Sequence, residues 1–184
     1  MIGARCQRAM GAMLCAIALV AASPAPAQST RDAPAKLLVT GNVENKLTLA
    51  VSDLKELNVQ HVEDVRQIRM TGAASPKDGE QTRRYAGVLL RDVLTRAKPL
   101  EKDRHDLRRS IVVATASDGY QAVFSWSELF LSPIGDGALV IFERDGAPLS
   151  RDEGPLALVS LRDNVAGPRH VKWLEKIEIR RISD

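Results

Sequence analysis

The chain has 184 residues, 45% of them hydrophobic, and carries 26 Lys and Arg against 23 Asp and Glu. That near balance excludes a general nucleic-acid-binding surface. With only two cysteines, both near the N-terminus, no disulfide framework carries the fold.

The opening "MIGARCQRAMGAMLCAIALVAASPAPAQS" sets Arg5 and Arg8 before an apolar run from Met10 to Ala22 and then small residues. This is the pattern of a secretory signal peptide, with cleavage expected after Ala27. The expected layout is a signal peptide at 1–27, a polar linker at 28–35 and one domain at 36–184, a size that suits a single packed core. A lipoprotein signal at Cys15 lacks the small residue required before the lipidated cysteine. The apolar run is shorter than the roughly 20 residues of a membrane span, and no later segment comes close. The mature chain is therefore expected to have no transmembrane segment and to be exported, to a periplasm. It would contain no thiol, because Cys6 and Cys15 both leave with the leader. Without Arg5 and Arg8 the basic count falls from 26 to 24 against 23 acids, so the sequence pI of 9.0 is partly a property of the leader.

"KLLVTGNVENKLTLA" reads as a hairpin with its turn at Gly41 and Asn42. "VSDLKEL" follows as a short helix with Ser52 at the N-cap and Leu54 and Leu57 inward. Val59 to Met70 repeats apolar residues every three positions but is rich in β-branched side chains, and we read it as a strand. "TGAASPKDGEQTRR" is loop by composition and long enough to border a site. "YAGVLLRDVLTRAK" reads as a helix with Val88, Leu89, Val93 and Leu94 on one stripe, stopped before Pro99. "LEKDRHDLRR" reads as a solvated connector. "SIVVATASDGYQAVFSW" predicts two strands about an Asp118-Gly119 turn. Ser125 caps the short helix "WSELF", and "ALVIFERDGAPLS" is a strand ending in an Asp-Gly turn. "GPLALVSL" and "HVKWLEKIEI" supply the last strands. Strands outnumber short helices without regular βαβ alternation, which predicts an α+β fold with a mixed or antiparallel sheet. No internal repeat is present.

The segment "GPRHVKWLEKIEIRRI" concentrates cations on what reads as a buried strand. Alternation would put Val171, Trp173, Ile177 and Ile179 on one face, with Glu175 the exception, and His170, Lys172, Lys176 and Arg180 on the other. The indole then belongs to the core side. Gly167 and Pro168 allow a close backbone approach to a ligand, and Arg169 can grip an anion with two parallel hydrogen bonds. Taken alone, the pattern also suits a solvated strand face. Tyr120, beside the Asp118 turn, either packs on the sheet or projects its ring into a pocket. Glycine-rich phosphate loops, zinc-protease helices and serine-hydrolase elbows are absent. His61, His105 and His170 show no metal-ligand spacing, so neither catalytic nor metal-binding residues are assigned.

Three patterns together resemble the molybdopterin-binding domain of sulfite-oxidase-type oxidoreductases. "YAGVLLRDVL" is similar to the family's aromatic-x-Gly-Val-x-Leu-x-Asp-x-Leu motif, and "ASDGYQAVFSWSEL" to its Ala-x-Asp-Gly-Tyr hairpin. "GPLALV" with "GPRHVKWLEKIEI" is similar to its Pro-Leu-Arg-x-Val and Gly-Ala-Arg-Ser-Val-Lys-Trp-Leu pair. The resemblance runs from about Leu37 to Ile182 and implies a sulfite-oxidase-like single domain with a mixed β-sheet and short helices. In such proteins the last motif helps hold the anionic tail of the pterin cofactor. Gly167, Arg169, Lys172 and Trp173 match it, and His170 replaces a Ser.

The departures matter as much. The family's metal-binding cysteine precedes the aromatic-Gly-Val motif, where this chain has "RMTGAASPKDGE", with Thr71 or a neighbour in place of the thiol. A hydroxyl replaces poorly the soft sulfur that suits the metal. Ala157 stands where the family usually has Arg. The chain also resembles small periplasmic pterin-binding proteins that use this fold without molybdenum and regulate membrane-bound cyclic-di-GMP enzymes. The resemblance thus implies a pterin or molybdopterin-like ligand held by Gly167, Arg169, His170, Lys172, Trp173 and Tyr120, without a metal. It also implies a partner in the periplasmic domain of a membrane signalling protein. The alternatives are a molybdopterin-dependent oxidoreductase whose centre lacks cysteine ligation, and an interaction module with a relic pocket.

Overall fold

The first hairpin forms, but with a longer connection than the predicted turn at Gly41 and Asn42: Gly41 still belongs to the first strand and residues 42–46 make the link. In the computed structural model of the chain, β1 (Lys36–Gly41) pairs antiparallel with β2 (Leu47–Ala50). The structure describes residues 36–65, 82–102 and 105–182, all within one unit running from Pro34 to Asp184. The expected signal peptide at 1–27, the linker at 28–35 and Thr71 with its loop lie outside the described residues. Among those described, no helix is long and apolar enough to cross a membrane.

Helix α1 (Val51–Lys55) follows, but Ser52 is not its cap. Ala50 stands at the N-cap and has no side-chain cap to offer; the Asp53 carboxylate instead reaches back to accept the Ala50 N–H at 2.8 Å, the reciprocal half of a capping box. β3 (Val59–Asp64) confirms the first half of the third strand. The apolar run after Thr82 is strand before it is helix: β4 (Arg83–Leu89) precedes α2 (Leu90–Arg96). Arg83 and Arg84 therefore belong to a strand rather than to the loop, and Val88 and Leu89 are not on the helical stripe. That stripe is Leu90, Val93, Leu94 and Ala97, all fully buried. Both faces of β4 are buried, which hides the two-residue period from the sequence. Gly87 lets this run approach its neighbour closely, since a Cβ there would stand 2.4 Å from the Val140 carbonyl oxygen.

The charged connector enters a short 3-10 turn at Leu107–Arg109 and then β5 (Ser110–Ala116), which pairs with β6 (Gln121–Ser125) about Asp118 and Gly119 as predicted. Helix α3 (Trp126–Leu131) carries the expected cap. Ser125 Oγ accepts the Glu128 N–H at 3.1 Å, and Glu128 accepts the Ser125 N–H at 2.7 Å. β7 (Ala138–Arg144), β8 (Ala147–Pro148), β9 (Ala157–Ser160) and β10 (Leu174–Arg181) complete the chain.

Two five-stranded sheets result. The first has the order β2-β1-β10-β5-β6, with β1 and β10 parallel and the other pairs antiparallel. The second has the order β3-β4-β7-β8, with β9 also on β7 and all pairs antiparallel. Inward residues of both sheets, including Val39, Val112, Phe124, Val140, Leu158 and Ile177, share one core with Leu54, Val93 and Leu129 of the helices. A smaller cluster of Tyr85, Leu89, Leu139, Ile141, Ala157 and Val159 lies on the opposite face of the second sheet. This is the predicted α+β, mixed-sheet architecture.

The final strand differs from its sequence reading. β10 begins only at Leu174, because Trp173 has a φ of 51° and breaks the extended run. A bulge between Leu174 and Lys176 then resets the phase, which accounts for Glu175. Residues 169–173 form the approach to the strand, pinned where Val171 and Leu158 exchange backbone hydrogen bonds of 2.8 and 2.9 Å.

Candidate ligand site

The connection between β9 and β10 borders a cleft of about 350 Å³, within the range of roughly 300–1,000 Å³ for small-molecule pockets. Its walls include Arg83, Arg144, Glu153, Gly167, His170 and Lys172. A narrow recess of about 50 Å³ shares Arg83, Gly167 and His170 with it and adds Asp64, Tyr85 and Asp163. A hollow of about 380 Å³ beside β3 and β4, lined by Glu63, Glu143 and Asp145 among others, contains none of the six candidate residues.

Of those six, Gly167, His170 and Lys172 line the cleft. Lys172 is exposed and has no hydrogen-bond or ion-pair partner among the described residues. The His170 side chain is 20% exposed, with Nε2 buried, lacking a hydrogen-bond partner and 3.5 Å from Glu153 Oε1. Burial pushes its pKa below the usual histidine value. Lys172, Arg83 and Arg144 push the same way, while Glu153 opposes them. The imidazole is therefore neutral at neutral pH and can accept or donate a hydrogen bond to a heterocycle.

Arg169 answers to different partners from those expected. Its Nε donates to Asp163 Oδ2 at 2.8 Å, Nη2 donates to Asp163 Oδ1, and Nη1 donates to Glu128 Oε1 at 3.1 Å. The guanidinium carbon lies 4.5 Å from the centre of the Phe124 ring. The bond to Asp163 raises its pKa further, against the effect of burial. Burial tends to raise the Glu128 carboxyl, but the Ser125 hydrogen bonds and Arg169 together hold it below its usual range. The anion that Arg169 meets is thus the protein's own.

Tyr120 does not line the cleft. It is 46% exposed and its hydroxyl donates to the Pro168 carbonyl at 2.5 Å. Trp173 is half-buried against Gly154, its backbone N–H donating to the Glu153 carbonyl at 2.7 Å, so the indole is not one of the buried core residues that strand alternation would make it.

Arg83, Arg144 and Glu153 were not singled out from the sequence. Arg83 is hydrogen-bonded to the Tyr85 hydroxyl, whose pKa burial raises and Arg83 lowers. Arg144 pairs with the buried Glu153 at 2.8 Å. Arg83 and Arg144 converge because β4 and β7 pair with Tyr85 opposite Arg144, and no local signal announces a register between strands so distant in the chain.

Comparison with known proteins decides the family. A model described as the oxidoreductase molybdopterin binding domain matches residues 24–183. The chain belongs to this family. It is 30% identical over 141 residues to the mitochondrial sulfite oxidase of Macaca fascicularis, a match covering 74% of this chain and 24% of that protein. It also resembles the sulfane dehydrogenase SoxCD from Paracoccus pantotrophus, with a TM-score of 0.58 and 18% identity, over 82% of this chain and 39% of that one. The chain thus spans about a quarter of the length of the sulfite oxidase.

The molybdopterin-binding domain offers the two halves of such a cofactor unequal fits. The cleft supplies cations, a neutral imidazole and carboxylates suited to a hydrogen-bonding heterocycle with an anionic group. For the metal, the only cysteines in the sequence are Cys6 and Cys15. Among the described residues no three His, Cys, Asp or Glu side chains group as metal ligands.

Proposed function

We propose that the chain is a periplasmic, non-catalytic pterin-binding protein that regulates a membrane-bound cyclic-di-GMP enzyme in response to its ligand. The observation that carries this reading is the cleft in which Lys172 and Arg83 stand beside the neutral His170, in a domain whose sequence after residue 15 has no thiol. Lys172 and Arg83 would meet the ligand's anionic group, since charge-assisted bonds are roughly twice as strong as neutral ones. His170 would bond a ring heteroatom, and Asp152 and Glu153, on the same wall, would accept ring N–H groups. The leader pattern of Arg5, Arg8 and the following apolar run supports export. The bound heterocycle would alter the surface offered to the signalling partner.

The decisive experiment is mass spectrometry and fluorescence of the small molecule released from protein purified from its native compartment, with elemental analysis alongside. A free pterin without molybdenum is expected. About one molybdenum per chain would instead establish the second reading, a molybdopterin-dependent oxidoreductase without cysteine ligation. That reading draws on the activities named for the sulfite oxidase and sulfane dehydrogenase relatives. Release of nothing would leave an interaction module.

A further inference from the structure

We propose that Arg169 and Tyr120 form a latch that positions the cleft wall at residues 167–170 without touching the ligand. Three elements meet at this latch. β6 contributes the Phe124 ring beneath the guanidinium, and the residue just before β6, Tyr120, holds the Pro168 carbonyl. α3 contributes Glu128, itself fixed by exchanging hydrogen bonds with Ser125. The β9–β10 connection contributes Asp163 and Arg169. The wall they hold carries Gly167 and His170, and the turn is closed by the His170 N–H donating to the Gly167 carbonyl at 2.8 Å.

The alternative role, direct grip of an anion, conflicts with this geometry. Three nitrogens of Arg169 already point at Asp163 and Glu128, and its flat face is covered by Phe124. Turning it toward a ligand would strip two partly buried carboxylates of that cation. The recess that Arg169 lines measures about 50 Å³, far below the roughly 300 Å³ at which ligand pockets begin. Lys172, exposed on the cleft, is a cation placed to read charge.

The inference rests on the pterin reading for its ligand arm but also has an arm that needs no ligand. In the first, wild type, Arg169→Gln, Tyr120→Phe and Lys172→Ala are titrated with 6-hydroxymethylpterin and with its monophosphate. A positioning residue weakens both probes by the same factor, about tenfold for Arg169→Gln, because the whole wall shifts. Lys172→Ala weakens the phosphate form alone by about tenfold. Selective loss of the phosphate form in Arg169→Gln would overturn the latch, as would unchanged affinity for both probes.

In the second arm, hydrogen exchange of the ligand-free proteins is followed at residues 161–172. Faster exchange there in Arg169→Gln, with β5 and β10 still protected, supports the latch; unchanged exchange refutes it. Tyr120→Phe repeats the test should Arg169→Gln fail to fold, because Tyr120 lies at the surface. Wild type that binds neither probe while its latch variants loosen the wall would defeat the pterin reading alone.

Discussion

Trp173 packs so tightly on Gly154 that a Cβ at residue 154 would stand 2.6 Å from the indole Cδ2. Gly154 also has a φ of 77° and Trp173 one of 51°, so two left-handed residues face each other across the start of β10. Gly154→Ala would add a steric clash to a conformation that L side chains rarely adopt. The expected loss is about 1–3 kcal/mol, read as a lower urea midpoint. Altered tryptophan emission should accompany it, since the indole must move. An unchanged midpoint would show that the contact yields without cost.

Asp106 contradicts the reading of its segment as a solvated connector. It is 2% exposed and meets Arg181 of β10 at 2.7 Å, while its other oxygen accepts the Lys102 N–H at 3.0 Å. Arg181→Ala would leave a buried carboxylate without that cation. Because Arg181 is itself 38% exposed, solvent relieves part of the penalty, and a loss of about 1–3 kcal/mol is expected rather than the larger values of fully buried pairs. Chemical denaturation of Arg181→Ala against Arg181→Lys measures it, with the lysine variant falling between alanine and wild type.

What the sequence made legible is what neighbours in the chain decide. The Asp118-Gly119 turn, the Ser125 cap and the Asp145-Gly146 turn each depend on residues within four positions, and each forms as read. The α+β class followed from strand count and short helices. Illegible were features set by distant partners. β4 is buried on both faces, so no alternation marks it as a strand and its apolar run resembles the start of the helix that follows. Strict alternation across residues 170–180 failed because Trp173 takes a positive φ and the strand bulges after it. The sequence suggests Arg169 as a grip for a ligand's anion, but the carboxylates it meets are Asp163 and Glu128, the latter 41 residues away on another element. Lys172 and His170, by contrast, both line the cleft.

The cap of α3 serves both the helix and the latch. Ser125→Ala removes the acceptor of the Glu128 N–H, which should cost about 1 kcal/mol, the common value for such a cap. Glu128 would also lose part of what fixes it beneath Arg169. The expected outcome is a lower thermal midpoint together with faster amide exchange at residues 161–172, far in sequence from the substitution. A stability loss confined to α3 would separate the cap from the wall.

His170 should give the protein a pH-dependent stability of definite sign. Burial lowers its folded pKa, with Lys172, Arg83 and Arg144 adding to the shift and Glu153 working against it. In the unfolded chain the imidazole takes its proton near the ordinary value of about 6.5. As pH falls below that value toward the folded pKa, the unfolded state binds more proton than the folded state, so stability drops across that window. Well above about 6.5 both states are neutral and the contribution is constant. Urea denaturation of wild type and His170→Gln at about pH 7.5 and about pH 5.5 isolates this group, because His61 and His105 are present in both proteins. Wild type should lose more stability than His170→Gln between the two conditions. The lowered Glu128 carboxyl acts in the same direction only at more acidic pH, below its ordinary range. A difference between the two proteins that stays constant with pH would mean that the imidazole takes its proton as readily in the folded chain as in the unfolded one.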